Sequence, residues 1–201
     1  IAILGKTGSG KSTILSLLTR IHDVSGISKI KIDDKDLADY DLYHLRKSMS
    51  IVTQDPFLFS DSIKNNIKFG KEDATDGEIV EAAKMAVVDD NIQLFTNKYE
   101  TILGERGITL SGGQKQRVSI ARAIIKEAPI LVLDDCLSAV DTETEEKIIN
   151  NFKRKLRILI FLFVQVRHRI FWKDKELWIV HRCIEEIAGE KKKNTANKDY
   201  K

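Results

Sequence analysis

The amino-acid sequence predicts an α/β fold in which a mostly parallel central sheet is interrupted by an inserted helical segment. Short apolar runs alternate with stretches of helical periodicity, which is the pattern of strands joined by crossover helices. The run at residues 130–133, ILVL, follows a proline and precedes two acids, as expected of a central strand covered on both faces. With 201 residues, of which 42% are hydrophobic and 31% charged, the chain suffices for one folded unit with its own core.

The remaining elements follow from the spacing of the apolar residues. Residues 1–4 form an uninterrupted apolar run and predict a buried strand, and residues 12–21 carry apolar side chains at helical spacing. Further strands are predicted over residues 29–33, 49–53 and 158–166, and further helices over residues 41–47, 76–88 and 142–156. From residue 56 to residue 126 the pattern is mostly helical, which predicts a helical insertion between two strands of the sheet.

These elements predict an organisation in a core and a subdomain. Residues 1–55 and 128–190 are expected to form the core around the sheet, and residues 56–127 the helical subdomain. Residues 191–201, KKKNTANKDYK, are expected to be a disordered basic tail because they offer almost nothing to bury.

Composition and charge exclude several classes of function. The net charge of +3 is small and sits partly in the basic tail, so no nucleic-acid partner is expected. The longest apolar run, residues 158–164, has seven residues, whereas a membrane-spanning helix needs about twenty. Cys136 and Cys183 lie far apart without metal-ligand spacing, which favours a reducing compartment over a disulfide framework.

A glycine-rich segment between the first strand and the first helix has the chemistry of a phosphate site. The segment GKTGSGKST consists of Gly5, Lys6, Thr7, Gly8, Ser9, Gly10, Lys11, Ser12 and Thr13. It fits the P-loop pattern, in which backbone N–H groups face one phosphate at the positive end of the following helix. Lys11 is expected to reach the β and γ phosphates of a nucleotide, and the Ser12 hydroxyl to bind Mg²⁺. The pattern alone could be an ordinary glycine-rich turn, but the flanking strand and helix favour a P-loop NTPase fold.

Asp134 is expected to complete this site. It ends the apolar run at residues 130–133, and the tip of a strand beside the P-loop is where a magnesium-holding aspartate is needed. An acid after an apolar run is common by itself, so this inference depends on the P-loop. Together the two features predict a site for nucleotide phosphates and Mg²⁺.

The segment LSGGQKQRVSIARA, residues 110–123, resembles the signature motif of the ABC ATPase family. The resemblance implies that the signature grips the γ phosphate of ATP held by a second ABC ATPase domain, so that two domains enclose two nucleotides. The start of a glycine-opened helix is suited to this because its backbone donors form an anion site. A plain surface helix is the alternative, which the P-loop disfavours. The signature residues are Leu110, Ser111, Gly112, Gly113 and Gln114.

Further segments match the family in its order. Gln54, in TQDPFLFS, resembles the loop glutamine that contacts magnesium and the attacking water, although alone it could be a turn residue. Asp141, in SAVD, resembles the aspartate that contacts the other subunit, and it could also cap the helix that follows. His168 stands 33 residues after Asp135, where the family has its switch histidine, although a lone histidine is usually structural. The catalytic residues implied by the resemblance are Lys11, Gln54, Asp135 and His168.

Residues 101–107, TILGERG, resemble a segment with which exporters contact their membrane domain. The resemblance therefore implies an ATP-binding and ATP-hydrolysing domain that powers export by an ABC transporter. Its partner would be a transmembrane domain of the same parent chain, at the cytoplasmic face of the plasma membrane. The alternatives are a soluble ABC module without a membrane partner and an inactive remnant of an exporter. The resemblance also implies that the membrane domain of the exporter selects the transported substrate.

Three departures from the family pattern bear on activity. The strands expected before Ile1, with the aromatic residue that stacks on adenine, are missing, and the residues after His168 follow the family only loosely. Asp135 stands where the family has the glutamate that polarises the attacking water, and aspartate is shorter by about 1.5 Å. A misplacement of about 1 Å can reduce a rate about a hundredfold. We therefore expect a weak base at Asp135, little ATP turnover by the isolated chain, and a heterodimeric partner that carries the glutamate.

Overall fold

The computed structural model describes residues 2–5, 10–22, 30–105, 109–155 and 159–165, which form six strands and seven α-helices. The strands are β1 Ala2–Gly5, β2 Lys31–Ile32, β3 Lys35–Asp36, β4 Met49–Val52, β5 Ile130–Asp134 and β6 Leu159–Gln165. The helices are α1 Lys11–Leu18, α2 Leu42–Lys47, α3 Ile63–Lys68, α4 Asp76–Met85, α5 Asp89–Gln93, α6 Gly112–Ile125 and α7 Thr142–Lys155.

Four of the strands form a parallel sheet in the order β1-β6-β5-β4. The register places Leu133 of β5 beside Val52 of β4 on one side and beside Leu162 of β6 on the other. β5 therefore lies inside the sheet, and its last four residues are buried. This confirms the predicted α/β fold and the central position of β5. Because all four strands run in one direction, the loops that follow β1, β4 and β5 meet at one edge of the sheet.

A small hairpin stands apart from this sheet. The strand predicted over residues 29–33 is represented by the two residues of β2, which pair with β3 in an antiparallel ribbon. The two residues between them, Asp33 and Asp34, have positive φ angles of 48° and 64°, as a tight two-residue hairpin turn requires. The alternating pattern thus indicates a strand correctly, but that strand belongs to the second sheet.

The segment between β4 and β5 is helical, as the sequence predicts, and it contains most of the largest hydrophobic core. Within it α6 packs against α3 and α4, and it also contacts β4. The helices begin at capping residues: the Ser62 hydroxyl accepts the Asn65 N–H, and Thr75 and Glu78 form a reciprocal capping box. The fully buried aliphatic side chains that join these helices include Ile63, Ile67, Ile79, Val118 and Ile120.

Two helices end earlier than their apolar spacing predicts. The helix predicted over residues 12–21 ends at Leu18, and the one predicted over residues 76–88 ends at Met85. In both cases a residue with positive φ follows, Arg20 at 50° and Val87 at 55°, and turns the chain out of the helix. The longest described helices, α6 and α7, have 14 residues each, and no helix in the described part of the chain is both long and apolar enough to cross a membrane.

Candidate functional site

The glycine-rich segment connects β1 to α1 at the common edge of the sheet. β1 ends at Gly5, and α1 begins at Lys11 with Gly10 as its N-cap. Gly10 has a φ of +86°, a left-handed conformation that favours glycine, whereas the space around it is open. The predicted phosphate-binding residues Lys6, Thr7, Gly8 and Ser9 lie outside the described residues, and Thr13 lies in the first turn of α1.

Ser12 and Asp134 are far apart in the sequence and meet at this edge. The Ser12 hydroxyl, in the first turn of α1, donates a hydrogen bond to Asp134 Oδ2 at the end of β5, over 3.1 Å. Asp134 is buried, with 8% of its surface exposed, whereas Ser12 is exposed to solvent. A hydroxyl and a carboxylate are hard oxygen ligands of the kind that Mg²⁺ takes at nucleotide sites. The pair predicted as magnesium ligands therefore stands together, and its chemistry fits the ion.

Asp135 follows directly at the tip of β5. Its φ of +47° turns the chain away from the strand, and its carbonyl oxygen accepts the N–H of Ser138 at 3.3 Å. The strained conformation of a non-glycine residue is a feature that functional sites often retain. The next residue, Cys136, is 1% exposed, and burial raises the pKa of its thiol, so it is an unreactive core residue.

The signature residues open α6 with a capping box. The Ser111 hydroxyl accepts the N–H of Gln114 at 3.3 Å, and the Gln114 side-chain oxygen accepts the N–H of Ser111 at 2.9 Å. Leu110, just before them, is buried and anchors the turn. Gly113 approaches the following loop so closely that a Cβ there would lie 2.8 Å from the oxygen of Ala139. The second signature glycine is thus required by a backbone contact.

A cavity of about 460 Å³ lies between the signature and the loop that contains Asp141. Its lining consists of Ser111, Gly112, Gly113, Arg117, Ala139, Val140 and Asp141. Asp141 accepts the N–H of Thr144 at 2.9 Å and so caps α7, which confirms the capping role considered for it. This hydrogen bond is the main cause that lowers the pKa of Asp141, and the charge of Arg117 adds a smaller effect. The two segments predicted to face a second subunit therefore share one surface.

Gln54 lies exposed in the loop after β4, and its main-chain oxygen is contacted by a residue that the sequence did not single out. Gln116 of α6 donates from Nε2 to that oxygen over 3.4 Å, and its Oε1 accepts the N–H of Ala139 at 3.2 Å. Gln116 stands in line with Ile120 and Ala123 on the buried face of α6. A polar residue at a buried helical position was the available signal, because such a group needs hydrogen-bond partners.

Two arginines of α6 were not identified from the sequence either. Each of them forms hydrogen bonds that connect this helix to other parts of the helical segment. Arg117 donates to the main-chain oxygen of Val87 and to Asn91 Oδ1, the latter at 2.9 Å. Arg122 donates through Nε and Nη2 to the main-chain and side-chain oxygens of Asn66, both at 2.7 Å. Burial lowers the pKa of Arg122 to about 10, which leaves it charged near neutral pH.

An exposed aromatic cluster lies next to Arg122, and part of it belongs to the loop that contains Gln54. Phe57, Phe59 and Phe69 form it, with ring centroids 5.1 Å and 4.7 Å apart in the two neighbouring pairs. The Arg122 guanidinium lies 5.3 Å from the Phe59 ring and 5.8 Å from the Phe69 ring, within cation–π range. This cluster combines exposed apolar area with a fixed cation.

Part of the remaining predicted site lies outside the described residues. His168 belongs there, and so do residues 106 and 107 of the segment 101–107. The described beginning of that segment pairs with the start of α3: Ile63 donates to Thr101 at 3.1 Å, and Leu103 donates to Asp61 at 3.0 Å. Ile102 between them is 63% exposed.

Comparison with known proteins places this arrangement in a family. The ABC transporter family model matches residues 1–138. The chain is 44% identical over 170 residues to the mitochondrial iron-sulfur clusters transporter ATM1 of Gibberella zeae, covering 85% of this chain and 24% of that protein. It is 49% identical over 148 residues to the putative multidrug export ATP-binding/permease protein YgaD of Bacillus subtilis, covering 74% of this chain and 25% of that protein.

A solved structure agrees with these matches. A bacterial Atm1-family ABC exporter with ATP bound superposes with a TM-score of 0.78 at 40% sequence identity, covering 82% of this chain and 29% of that one. The chain thus spans about a quarter of the length of the relatives it matches. Because the family match covers more than half of the chain and includes the glycine-rich segment, the signature and Asp134, this chain belongs to the ABC transporter family.

Proposed function

We propose that this chain is the ATP-binding and ATP-hydrolysing domain that powers export by a longer ABC transporter. The observation that carries the proposal is the 3.1 Å hydrogen bond between Ser12 and Asp134, which joins the start of α1 to the end of β5. In the family this is the place where nucleotide and magnesium are held, and both residues belong to the matched segment. Gln54 and Asp135 follow the ends of the neighbouring strands β4 and β5, at the same edge of the sheet.

The nucleotide would be held by the glycine-rich segment and its helix. Backbone N–H groups from Gly5 to Thr13 would surround the phosphates, and the Lys11 ammonium would lie at the β and γ phosphates. Ser12, Asp134 and Gln54 would hold the magnesium ion, which when bound neutralises charge on the β and γ phosphates. These residues act by positioning and by stabilising charge, because phosphoryl transfer asks little covalent chemistry of the protein.

Asp135 is the residue that we place beside the attacking water. Its carboxylate would accept a proton as the water oxygen bonds to the γ phosphorus and the bond to the β–γ bridging oxygen breaks. Gln54 and His168 would orient the water and the γ phosphate. The short side chain of Asp135 makes this the weakest step of the proposed mechanism, and it is the reason for proposing a heterodimer.

The second half of each ATP site would come from another ABC ATPase domain. Ser111, Gly112 and Gly113 line an open cavity together with Asp141, and this surface is the one we propose to face the partner. The signature would contact the γ phosphate bound by the other domain, and Asp141 would contact that domain directly. Two domains would then enclose two nucleotides, each between a glycine-rich segment and a signature.

The transmembrane domain of the parent protein is the other proposed partner. The relatives named above include an export protein and a transporter, and this chain covers about a quarter of each. The aromatic cluster and the exposed Ile102 lie on segments that hydrogen-bond to each other through Asp61 and Ile63, so they offer an apolar surface for that contact. We place the domain at the cytoplasmic face of the plasma membrane.

The decisive test replaces the proposed phosphate-binding lysine. We expect Lys11→Ala in the full-length parent protein to weaken Mg-ATP binding about 100-fold or more, because a charge-assisted contact to phosphate is worth about 1.5–3 kcal/mol per hydrogen bond. Equilibrium binding of a fluorescent ATP analogue measures the change. Lys47→Ala, on the exposed face of α2, is the matched control and should bind as the parent does. Equal affinity in Lys11→Ala and the parent would remove the basis of the proposal.

A further inference from the structure

Gln116 is a buried amide at which α6 and the loops after β4 and β5 meet. The residue is 4% exposed. Its Nε2 donates to the Gln54 main-chain oxygen at 3.4 Å, and its Oε1 accepts the Ala139 N–H at 3.2 Å. One side chain thus connects the helix of the signature, the loop of the proposed water-orienting glutamine and the loop of Asp141.

The contacts around Gln116 hold the two loops against α6 at further points. Gly113 packs its backbone on the Ala139 oxygen, with room for no side chain. Arg122 donates to the Phe57 main-chain oxygen at 2.8 Å, three residues after Gln54. Gln116 lies between Gly113 and Arg122 along α6. If one loop moves relative to α6, its hydrogen bond to Gln116 changes, and the same side chain is also bonded to the other loop.

The chemistry of the amide suits a connection of this kind. One end of a glutamine side chain donates and the other accepts, and here the two ends serve a carbonyl oxygen and an N–H group on different loops. Glutamate at this position could accept from Ala139 but would face the Gln54 oxygen with a second acceptor. Methionine has a similar volume but can form neither of these part-buried hydrogen bonds, so it removes both contacts with little change in packing.

We infer that Gln116 is a positioning residue that transmits the state of the Gln54 loop to the loop of Asp141. Occupancy of the nucleotide site on this chain would thereby be passed to the surface that faces the second domain. The inference rests on the proposed function, since it assigns to Gln54 and Asp141 the roles proposed above. It predicts an effect on turnover and on the Asp141 loop, with nucleotide affinity unchanged.

The experiment compares Gln116→Met and Gln116→Glu with the full-length parent protein. Gln93→Met and Gln93→Glu, on the exposed face of α5, are the matched controls. We expect both Gln116 variants to lose about tenfold in kcat, by misplacement of positioned groups, with Mg-ATP affinity within about twofold of the parent. Amide hydrogen exchange over residues 137–141 should be faster in Gln116→Met, which lacks the acceptor for Ala139. It should stay near the parent rate in Gln116→Glu, which keeps that acceptor.

Several outcomes would overturn the inference. One is a kcat within about twofold of the parent in both Gln116 variants; another is an affinity loss as large as the kcat loss, which would indicate a purely structural role. Parent-like exchange over residues 137–141 in Gln116→Met would show that the inferred contact does not protect Ala139. If the parent protein neither binds nor hydrolyses ATP, the proposed function fails, and the exchange measurement still decides whether Gln116 holds the loop.

Discussion

Two glycines occupy the same helical position in different surroundings. Gly77 and Gly113 are each the second residue of a helix that begins with a capping box, in α4 and α6 respectively. A Cβ on Gly77 would find its nearest neighbour, the Thr75 hydroxyl, at 3.9 Å, whereas one on Gly113 would lie 2.8 Å from the Ala139 oxygen. The conformational freedom of glycine disfavours both helices equally, so the difference between them is steric.

We expect alanine to have opposite effects at these two positions. Gly77→Ala should raise the free energy of unfolding by up to about 0.5–1 kcal/mol, because alanine restricts the unfolded chain without a clash. Gly113→Ala should lower it by about 1–3 kcal/mol, because the methyl group forces the loop at Ala139 to move. Urea unfolding of the two single variants and the parent measures both changes. Stabilisation by both substitutions would show that the approach at Gly113 yields easily.

The residues of the site differ in how far the sequence predicted them. The sequence alone predicts Ser12 and Asp134 as partners in one site, because the P-loop and the acid at the end of a strand are both local patterns that indicate a function. Gln116 has no such pattern, since its partners are main-chain atoms of loops that only the sheet topology brings near. The left-handed conformation of Asp135 was not predicted either, because aspartate tolerates this conformation without requiring it.

At the scale of elements, helix starts were better predicted than helix ends. α4 and α7 begin where the sequence places them, at residues 76 and 142, because an N-cap such as Thr75 or Asp141 is a local chemical signal. α4 ends three residues early although Val87 continues the apolar stripe. The positive φ of Val87 turns the chain out of the helix there, and no glycine marks the turn in the sequence.

The capping box of α4 makes a pH-dependent contribution to stability. Glu78 accepts a hydrogen bond from Lys71 at 2.6 Å and others from Thr75. The bond from Lys71 is the main cause that lowers the pKa of Glu78 from 4.5 to about 2. A carboxylate with a lowered pKa in the folded state stabilises that state above the unfolded pKa, and the contribution is lost as the pH falls through the folded pKa.

We therefore expect Glu78→Gln to be less stable than the parent above about pH 5, and the difference to vanish as the pH falls from 4.5 towards 2. Chemical unfolding of both proteins at a series of pH values measures the difference. In a Lys71→Met background the difference should be smaller, because the main cause of the shift is absent. A difference that is constant from pH 6 to pH 2.5 would contradict the assignment.

At the scale of the whole molecule, the two halves of the proposed ATP chemistry are built from different elements. Asp134 and Asp135 stand at the edge of the parallel sheet, whereas Ser111 and Asp141 line the cavity beside α6. A composite site takes its base from one chain and its signature from the other. A chain can therefore be weak in the first role and complete in the second, and Asp135 with an intact LSGGQ has that combination.

We expect this asymmetry to appear in the complex of the parent protein with a partner that carries the usual glutamate. Ser111→Arg in this chain should reduce ATP turnover of the complex at least tenfold, because it fills the cavity that would meet the γ phosphate on the partner. Asp135→Glu should raise turnover, because it restores the longer base. Steady-state ATPase rates of the paired complex measure both effects.

Two results would contradict the asymmetric arrangement. Turnover that survives Ser111→Arg would mean that the signature completes no active site. Brisk hydrolysis by a homodimer of the parent protein with Asp135 in place would mean that the short base suffices, and that no second kind of chain is needed.

The order of strands in the sheet also determines when this domain can be completed on the ribosome. Within the described sheet β1 pairs only with β6, and Ala2 lies opposite Leu162, so the pairing joins residues about 160 positions apart. At translation rates of about 5–20 residues per second, roughly 8–30 s separate the emergence of the two strands. The helices between β4 and β5 make nearer contacts and can condense earlier in the nascent chain. Until β6 is synthesised, β1 lacks the strand with which it pairs in the described sheet, and the growing polypeptide exposes that edge to chaperones and to its neighbours.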